Sequence, residues 1–290
     1  MFQQASWEAS EDRRSRIWTF PEAATNSPRE EKPVSSHEHK QRMRSFYAQE
    51  AAERDDEQWL RAGGSPRVPE SRASHYFLDR KVEMALKLTN APRAGRVLEV
   101  GCSFGHQTFL LANHFAHVTA VDLSPESINL ARRRAVAWNV TNVAFEVGDA
   151  EALSALVDAS FDAVFSFSTV RFCPRPDVTM REMYRVLRPG GGVAIDFPNA
   201  NCPWYGPIKK AAGVETHIHD RLFQDHEVRA LFAQAGFTNV DVRPMLFTSK
   251  RVPDSLLPAF RILDAVGERM PGLRGYAGIL MAGGTRRVER

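Results

Sequence analysis

The chain has 290 residues, of which 43% are hydrophobic and 25% charged, so most of it can bury a core. Its net charge of +3 predicts no dedicated nucleic-acid surface. The three cysteines, Cys102, Cys173 and Cys202, form no Cys-x-x-Cys pair, which is typical of a reduced, cytoplasmic protein without a zinc knuckle or disulfide framework. No apolar run approaches the roughly 18 residues of a membrane span, and the first residues contain no apolar signal core.

The part of the chain before residue 95 divides into two patterns. Residues 1–38 contain no leucine and are rich in charged residues, serine and proline, so we expect a disordered or loosely attached leader. Residues 39–94 carry two helical patterns on either side of a Gly-Gly-Ser-Pro break at 63–66. These patterns predict a helical cover ahead of the main domain.

From residue 95 onwards, apolar runs alternate with amphipathic stretches, which predicts an α/β fold with a mostly parallel sheet and helices on both faces. The seven predicted strands cover residues 97–100, 118–121, 143–147, 161–165, 193–197, 237–242 and 276–282. The predicted helices between them include 124–138, capped by Ser124, and 226–234, capped by Asp225 and ended by Gly236. On the first of these helices, the run Arg132-Arg133-Arg134 is expected to form a solvated face.

A glycine-bracketed turn follows the first strand, and an acidic residue ends the second. The turn is Gly101-Cys102-Ser103-Phe104-Gly105, and Asp122 follows about 20 residues later. Free amides at the start of a helix favour a negatively charged ligand, and an acid at this distance can accept the hydroxyls of a ribose. The unit therefore suits an adenosine-bearing ligand, although Ser103 departs from the three-glycine NAD fingerprint.

The same turn has the form Gly-x-Ser-x-Gly, which is the nucleophile elbow of serine hydrolases. A serine hydrolase that uses Ser103 therefore stays as an alternative. An elbow normally follows several strands, however, and no His-Gly-Gly oxyanion motif precedes this one.

Four stretches resemble motifs of the class I S-adenosyl-L-methionine (SAM)-dependent methyltransferases with a type-11 methyltransferase domain. Residues 97–105 resemble motif I, 147–150 the adenine-binding end of the third strand, 161–166 motif IV, and 184–191 the turn before the fifth strand. The resemblance covers about residues 95–245. It implies a Rossmann-like fold, SAM as cofactor, and a small organic methyl acceptor, with O-methylation favoured and N- or C-methylation possible. Residues 95–290 would then form the SAM-binding domain, with an insert at 197–224.

The resemblance also implies roles around the cofactor. Gly101, Cys102, Ser103 and Gly105 would shape the loop around the methionine part, and Glu99 would fix that loop or bind the ammonium. Further cofactor-binding residues would be Asp122 at the ribose, Leu123 on the adenine, Asp149 and Ala150 at the adenine edge, and Ser166 and Phe167 beneath the transferring methyl.

Methyl transfer from a sulfonium needs mainly positioning and exclusion of water, and an oxygen acceptor also needs a base. His217 and His219 in the insert are the candidate bases, and the candidate acceptor-binding residues are Tyr47, Arg171, Trp204 and Tyr205. The His217-x-His219 pair with Asp220 and His226 matches no metal-ligand spacing, so we expect no metal. A non-catalytic SAM-binding protein is a further alternative, because Ser103 departs from motif I and no base is obvious.

Overall fold

A computed structural model describes residues 35–53, 71–205, 221–250 and 252–288. Residues Ser35–Arg290 form one compact unit, so the predicted division between cover and main domain stays a prediction. The described helices are α1 Ser36–Glu53, α2 Arg72–Thr89, α3 His106–Ala112, α4 Pro125–Ala137, α5 Pro176–Val186, α6 Asp225–Ala235 and α7 Leu257–Gly267. The strands are β1 Arg96–Val100, β2 His117–Asp122, β3 Val143–Val147, β4 Phe161–Ser166, β5 Leu187–Pro198, β6 Phe237–Met245 and β7 Ile279–Arg286.

The strands form one seven-stranded sheet with the order β3-β2-β1-β4-β5-β7-β6, which confirms the predicted fold class. β1 to β5 are parallel, and β7 runs antiparallel to both β5 and β6. The carboxyl ends of the parallel strands therefore meet at one edge. Ile279, the first residue of β7, pairs with Pro198 and with Met245, so the segment between β6 and β7 starts and ends at that same edge.

Both faces of the sheet are covered, as the uninterrupted apolar runs of the central strands require. On one face, Leu98 and Ile195 belong to a cluster with Met180 of α5 and Phe232 of α6. On the other, Phe165 and Ala194 pack in a cluster with Val82 of α2. Among the described residues, no helix combines the length and the apolarity that crossing a membrane requires.

Local signals placed several helix ends correctly. Ser124 caps α4 by accepting a hydrogen bond from the Ser127 amide at 3.1 Å, and Gly236 ends α6 with a φ of 95°. The predicted cap of α6 was one residue late, because Gln224 is the N-cap and Asp225 is the first helical residue. The Glu227 carboxylate accepts from the Gln224 amide at 2.8 Å, which completes a capping box that places the start there.

The predicted solvated face at 132–134 was wrong for Arg134. Its side chain is fully buried, and its guanidinium lies over the rings of Phe104 and Trp138, at 5.5 and 6.0 Å. It also donates to the Phe104 carbonyl at 3.2 Å, so it fastens the glycine loop to α4. Three consecutive helical residues point in different directions, and the third one faces the core.

Two strands also begin at residues other than those predicted. β7 begins at Ile279 and not at residue 276, because Arg274–Tyr276 form a short 3-10 turn that leads into it. β5 begins at Leu187, since Leu187 already pairs with Phe161 before the register shifts at the glycine run.

Candidate cofactor and acceptor site

The glycine loop between β1 and α3 lies at the carboxyl edge of the sheet. Its Gly101 and Cys102 amides donate to the Val121 carbonyl at 2.8 and 3.0 Å, so β2 fixes the start of the loop. Gly101 has a φ of 80°, and a Cβ there would lie 2.0 Å from the Thr169 hydroxyl oxygen. Only glycine therefore lets the segment after β4 pack against the loop, where Thr169 donates to the Gly101 carbonyl at 3.1 Å.

Ser103 also adopts the left-handed region, with a φ of 48°. Its amide donates to Asp122 Oδ2 at 2.8 Å, and the Ser124 amide donates to Asp122 Oδ1 at 3.0 Å. Burial raises the pKa of the Asp122 carboxyl above its usual value, and hydrogen bonds from the backbone amides of Ser124, Ser103 and Leu123 offset only part of that rise. Each carboxylate oxygen keeps lone pairs for the hydroxyls of a ribose.

Glu99 is the acid at the end of β1, and its side chain is fully buried. Its Oε2 accepts from the Thr108 hydroxyl at 2.5 Å, whereas Oε1 has no hydrogen-bond partner among the described residues. Burial, followed by the neighbouring Asp122 carboxylate, raises the pKa of Glu99 to about 7, against the lowering effects of Thr108 and Lys81. A buried carboxylate oxygen without a donor is costly, so this atom calls for a cationic or donating ligand.

Asp149, after β3, is held by α1. Lys40 of α1 forms ion pairs with Asp149 and with Glu151, each at 2.7 Å. These acids raise the pKa of Lys40 although burial, the largest single effect, lowers it. The Asp149 carboxylate also accepts from the Glu151 amide at 2.9 Å. α1 is thereby fastened to the position where the resemblance places the adenine edge.

Next to this cofactor region, the structure brings together a buried ion pair that the sequence analysis missed. Lys81 Nζ of α2 lies 2.8 Å from Asp196 Oδ2 of β5, and both side chains are almost wholly buried. Lys81 also donates to the Ser168 hydroxyl at 2.9 Å, and the Ser168 amide donates to Asp196 at 2.6 Å. A signal was present, because Asp196 interrupts the apolar run of the fifth strand and a buried acid needs a partner.

The chain is similar in sequence to known proteins. A family model described as methyltransferase domain matches residues 98–195. The chain is 29% identical over 191 residues to a SAM-dependent Diels-Alderase of Talaromyces variabilis, which covers 60% of this chain and 61% of that protein. It is 30% identical over 163 residues to a ubiquinone biosynthesis O-methyltransferase of Xanthomonas axonopodis pv. citri, covering 54% of this chain and 68% of that protein. This chain belongs to the SAM-dependent methyltransferases.

A comparison with solved structures shows the fold. The crystal structure of a SAM-dependent methyltransferase from Thermotoga maritima, described as a possible histamine N-methyltransferase, superposes with a TM-score of 0.58. The superposition covers 84% of this chain and all of that chain at 20% identity, which shows the shared fold.

The residues of this methyltransferase domain fit the family's cofactor. SAM carries a ribose, an ammonium and a sulfonium, and when bound it supplies an activated methyl group. The Asp122 carboxylate can accept the ribose hydroxyls, and the unpartnered Glu99 Oε1 can accept from the ammonium. Asp149 and the partly buried Ala150 and Leu123 lie after the neighbouring strands β3 and β2, at the same edge.

The side chains of three predicted cofactor residues are buried in contacts within the protein. Cys102 is buried in a cluster with Phe109 and Ile128, and burial raises the pKa of its thiol well above its usual value. The Ser166 hydroxyl donates to the Val100 carbonyl at 2.9 Å, and Phe167 is buried beneath the Lys81 ammonium. Their predicted contacts with the cofactor would therefore come from their backbone, or from the face of the Phe167 ring.

Three candidate acceptor residues, Tyr47, Arg171 and Tyr205, are linked through ring contacts that include Phe172. The ring centroids of Tyr47 and Phe172 are 6.5 Å apart. The Arg171 guanidinium lies 5.3 Å from the Phe172 ring and 5.8 Å from the Tyr205 ring. The structure thus joins α1 to the segment after β4 through Tyr47 and Phe172, and that segment to the one after β5 through Arg171 and Tyr205.

The remaining candidates lie outside the described residues. His217 and His219 fall within 206–220, and the side chain of Trp204 is likewise not described. Within the described residues, no group of three or more His, Cys, Asp or Glu is arranged to hold a metal ion. The hydrolase alternative gains no support, because within the same residues the hydrogen bonds of Ser103 include none between its hydroxyl and a histidine.

Proposed function

We propose that the chain transfers the methyl group of SAM to a small organic acceptor that carries an anionic group, most favourably on an oxygen atom. The observation that carries the methyltransferase part is the placement of Glu99 and Asp122 around a glycine loop whose buried Glu99 oxygen lacks a donor. The chain covers 61% of the length of the Diels-Alderase and 68% of the length of the O-methyltransferase. The reaction that the whole protein catalyses is therefore itself a proposal.

Binding of the cofactor is tested first, by isothermal titration with SAM and with S-adenosylhomocysteine. Asp122→Ala should weaken both ligands by at least tenfold, because it removes the acceptor for the ribose hydroxyls. Asp241→Ala, which removes an exposed acid of β6, is the matched control and should bind like the wild type. Equal affinities in Asp122→Ala and wild type would contradict the ribose assignment.

The anionic acceptor is argued from Arg171. A guanidinium between the Phe172 and Tyr205 rings presents a cation beside apolar surface, which suits an acceptor with a carboxylate or phosphate and an apolar body. The O-methyltransferase among the relatives supports oxygen as the methylated atom. His217 and His219 stay the proposed bases, and Tyr47, Trp204 and Tyr205 the proposed walls of the acceptor pocket.

This acceptor assignment is tested with labelled SAM and a panel of carboxylates, phenols and amines. Arg171→Leu should raise the KM of the best anionic acceptor by at least tenfold, while the affinity for SAM stays within twofold. Arg181→Leu, which removes an exposed arginine of α5, is the control. An unchanged KM, or a loss confined to SAM binding, would contradict the role of Arg171.

A second function is favoured by one finding, the similarity to a SAM-dependent Diels-Alderase. A protein with that second function would bind SAM without transferring its methyl group. The non-catalytic alternative makes the same prediction. Tight binding of SAM without methyl transfer to any acceptor of the panel would favour it over the methyltransferase.

A further inference from the structure

α7 is anchored to the rest of the protein through its acidic residues. Asp264 is fully buried, and it accepts from the amides of Phe247 and Thr248 at 2.6 and 3.1 Å. Glu268 accepts from the Leu246 amide at 2.9 Å and from Arg80 of α2 at 2.5 Å. The acidic side chain of Asp264 therefore points inward together with the apolar Leu257, whereas an ordinary surface helix turns its charged side chains to solvent.

The opposite face of α7 is apolar and exposed. Ile262, Leu263 and Val266 are 66%, 38% and 50% exposed, at helical spacings of three and four residues. Leu256, Met270 and Tyr276 are also exposed in this segment, and we call the six side chains together the α7 face. Six of the ten large apolar side chains that are exposed in the described residues fall within positions 256–276. A concentration of this kind marks an interaction surface, whereas single exposed apolar side chains need no explanation.

The α7 face lies at the functional edge of the sheet. The segment that carries it leaves β6 after Met245 and enters β7 at Ile279, which pairs with both Met245 and Pro198. The side chain of Asn199, directly after β5, donates to the carbonyls of Gly275 and Ala277 at 2.8 Å. The face is thus tied to the segment after β5, on the side where Arg171 and Tyr205 lie.

The exposed charged residues around the α7 face favour one kind of binding partner. The exposed charged residues of positions 253–276 are Arg261, Arg269 and Arg274 against the single acid Asp254. A symmetric dimer through this face would bring the arginines of two copies together, so like charges oppose it. Exposed aliphatic side chains on a helix, with arginines and a tyrosine in the same segment, are instead the composition of helices that lie in a membrane interface.

We propose that the α7 face docks this protein onto an anionic lipid surface, with the apolar side chains entering the interface and the arginines contacting phosphate headgroups. The inference concerns a surface separate from the cofactor residues, so it stands or falls independently of the proposed reaction. An acidic protein partner and a second copy of the chain are the competing occupants.

The test is sedimentation of the full chain with vesicles of equal parts phosphatidylglycerol and phosphatidylcholine, and with vesicles of phosphatidylcholine alone. We expect at least tenfold stronger partitioning onto the anionic vesicles. The double variant Ile262→Ser/Val266→Ser should lose at least tenfold of that partitioning. The matched control Val136→Ser/Val157→Ser, at positions 83% and 73% exposed elsewhere, should keep it. Arg269→Ser/Arg274→Ser should weaken binding only to the anionic vesicles.

A gain-of-signal variant makes the test independent of any loss of folding. With Ile262→Trp, addition of anionic vesicles should shift tryptophan emission to the blue beyond the change seen in wild type. The proposal would be overturned if the wild type partitioned onto anionic vesicles no better than onto phosphatidylcholine vesicles. It would also be overturned if Ile262→Ser/Val266→Ser partitioned as well as the wild type, or if Ile262→Trp showed no extra blue shift. A wild-type dimer, or a complex with an acidic protein, that Ile262→Ser/Val266→Ser abolishes in the absence of vesicle binding would overturn it as well.

Discussion

Ser103 is the residue at which this chain departs most clearly from the glycine pattern of its family. Its φ of 48° lies in the left-handed region, which costs a residue with a side chain about 1–2 kcal/mol relative to glycine. Glycine would lose more entropy on folding, by about 0.5–1 kcal/mol. Ser103→Gly should therefore raise the free energy of unfolding by roughly 0.5–1 kcal/mol, measured by urea denaturation, and leave SAM affinity within twofold.

The control for this prediction is the converse change at the other end of the loop. Gly105 has a φ of 86°, and a Cβ there would lie 2.9 and 3.1 Å from the rings of Phe109 and Phe145. Gly105→Ser should be destabilised by about 2 kcal/mol or more, because strain and overlap add. Equal effects of the two substitutions would show that backbone conformation does not determine which residues the loop accepts.

Glu99 should make cofactor binding depend on pH. Its ordinary pKa of 4.5 rises to about 7 in the folded chain, so the folded state holds the proton more tightly than the unfolded state. The Glu99 carboxyl therefore lowers the free energy of unfolding as pH rises from about 4.5 to about 7. Above that range the whole loss of stability is present. The ammonium of SAM would favour the ionised carboxylate, so binding at pH 6 should release a proton.

Calorimetric titrations at pH 6 in two buffers with different ionisation enthalpies measure that proton. The apparent enthalpy of SAM binding should differ between the buffers for the wild type and agree for Glu99→Gln. The same variant should bind SAM about tenfold more weakly, a change of roughly 1.4 kcal/mol. Buffer-independent enthalpies in the wild type would rule out proton release at Glu99.

At the scale of elements, the buried ion pair between α2 and β5 holds the segment after β4. Ser168 has a φ of 56°, and both its amide and its hydroxyl are fixed by Asp196 and Lys81. The next residue, Thr169, contacts the Gly101 carbonyl. α2 thus reaches the glycine loop through a chain of contacts that starts at Lys81.

Lys81→Met should leave Asp196 buried and unpaired, at a cost of about 3–5 kcal/mol in the free energy of unfolding. The double variant Lys81→Met/Asp196→Leu should recover most of that stability, but it also loses the acceptor for the Ser168 amide. Its SAM affinity or acceptor KM should therefore stay impaired. For comparison, Arg181→Met breaks an exposed pair with Asp177 and should cost less than about 1 kcal/mol. Full recovery of both stability and ligand binding in the double variant would show that the Lys81–Asp196 pair has only a structural role.

Lys40 links α1 to Asp149 and Glu151 after β3. Lys40→Met keeps the length of the side chain and removes both ion pairs, and it leaves Glu151 with only the contacts from Arg175. We expect α1 to detach more often, which limited proteolysis within residues 36–53 would detect as faster cleavage. Arg42→Met, which removes an exposed pair with Glu38 on the same helix, is the control. Equal cleavage rates in both variants would exclude Lys40 as the anchor of α1.

The sequence predicted those features whose cause is local. Motif I, Asp122 and the Ser124 cap are encoded within a few residues of the feature itself, so their positions were correct. Lys81, Lys40 and Arg134 each act through partners that lie 30 to 115 residues away. Periodicity alone could not identify these partners, because a buried cation and a solvated one look alike in a helical pattern. Only the topology of the sheet brings α2 against β5.

For the whole molecule, the antiparallel β7 returns the last part of the chain to the functional edge. α2 and α7 meet there through Arg80 and Glu268, and α7 meets the segment after β6 through Asp264. Burial, together with the charge of Asp264, raises the pKa of the neighbouring Tyr76 to about 12, so this phenol stays protonated over the physiological range. These contacts fix the orientation that leaves the apolar side of α7 exposed.

Asp264→Ala tests whether that inward acid determines the orientation of α7. The change would leave the Phe247 and Thr248 amides and the Thr248 hydroxyl without their acceptor, at about 1–3 kcal/mol for each group that stays buried and unpaired. We expect the free energy of unfolding to fall by at least about 3 kcal/mol, whereas Asp241→Ala, at an exposed side chain of β6, should change it by less than about 0.5 kcal/mol. If α7 instead turns its apolar side inward, the variant would lose little stability and would bury side chains such as Ile262. Loss of vesicle binding with retained stability would identify that turn, and hydrogen exchange of the α7 amides would distinguish it from local unfolding.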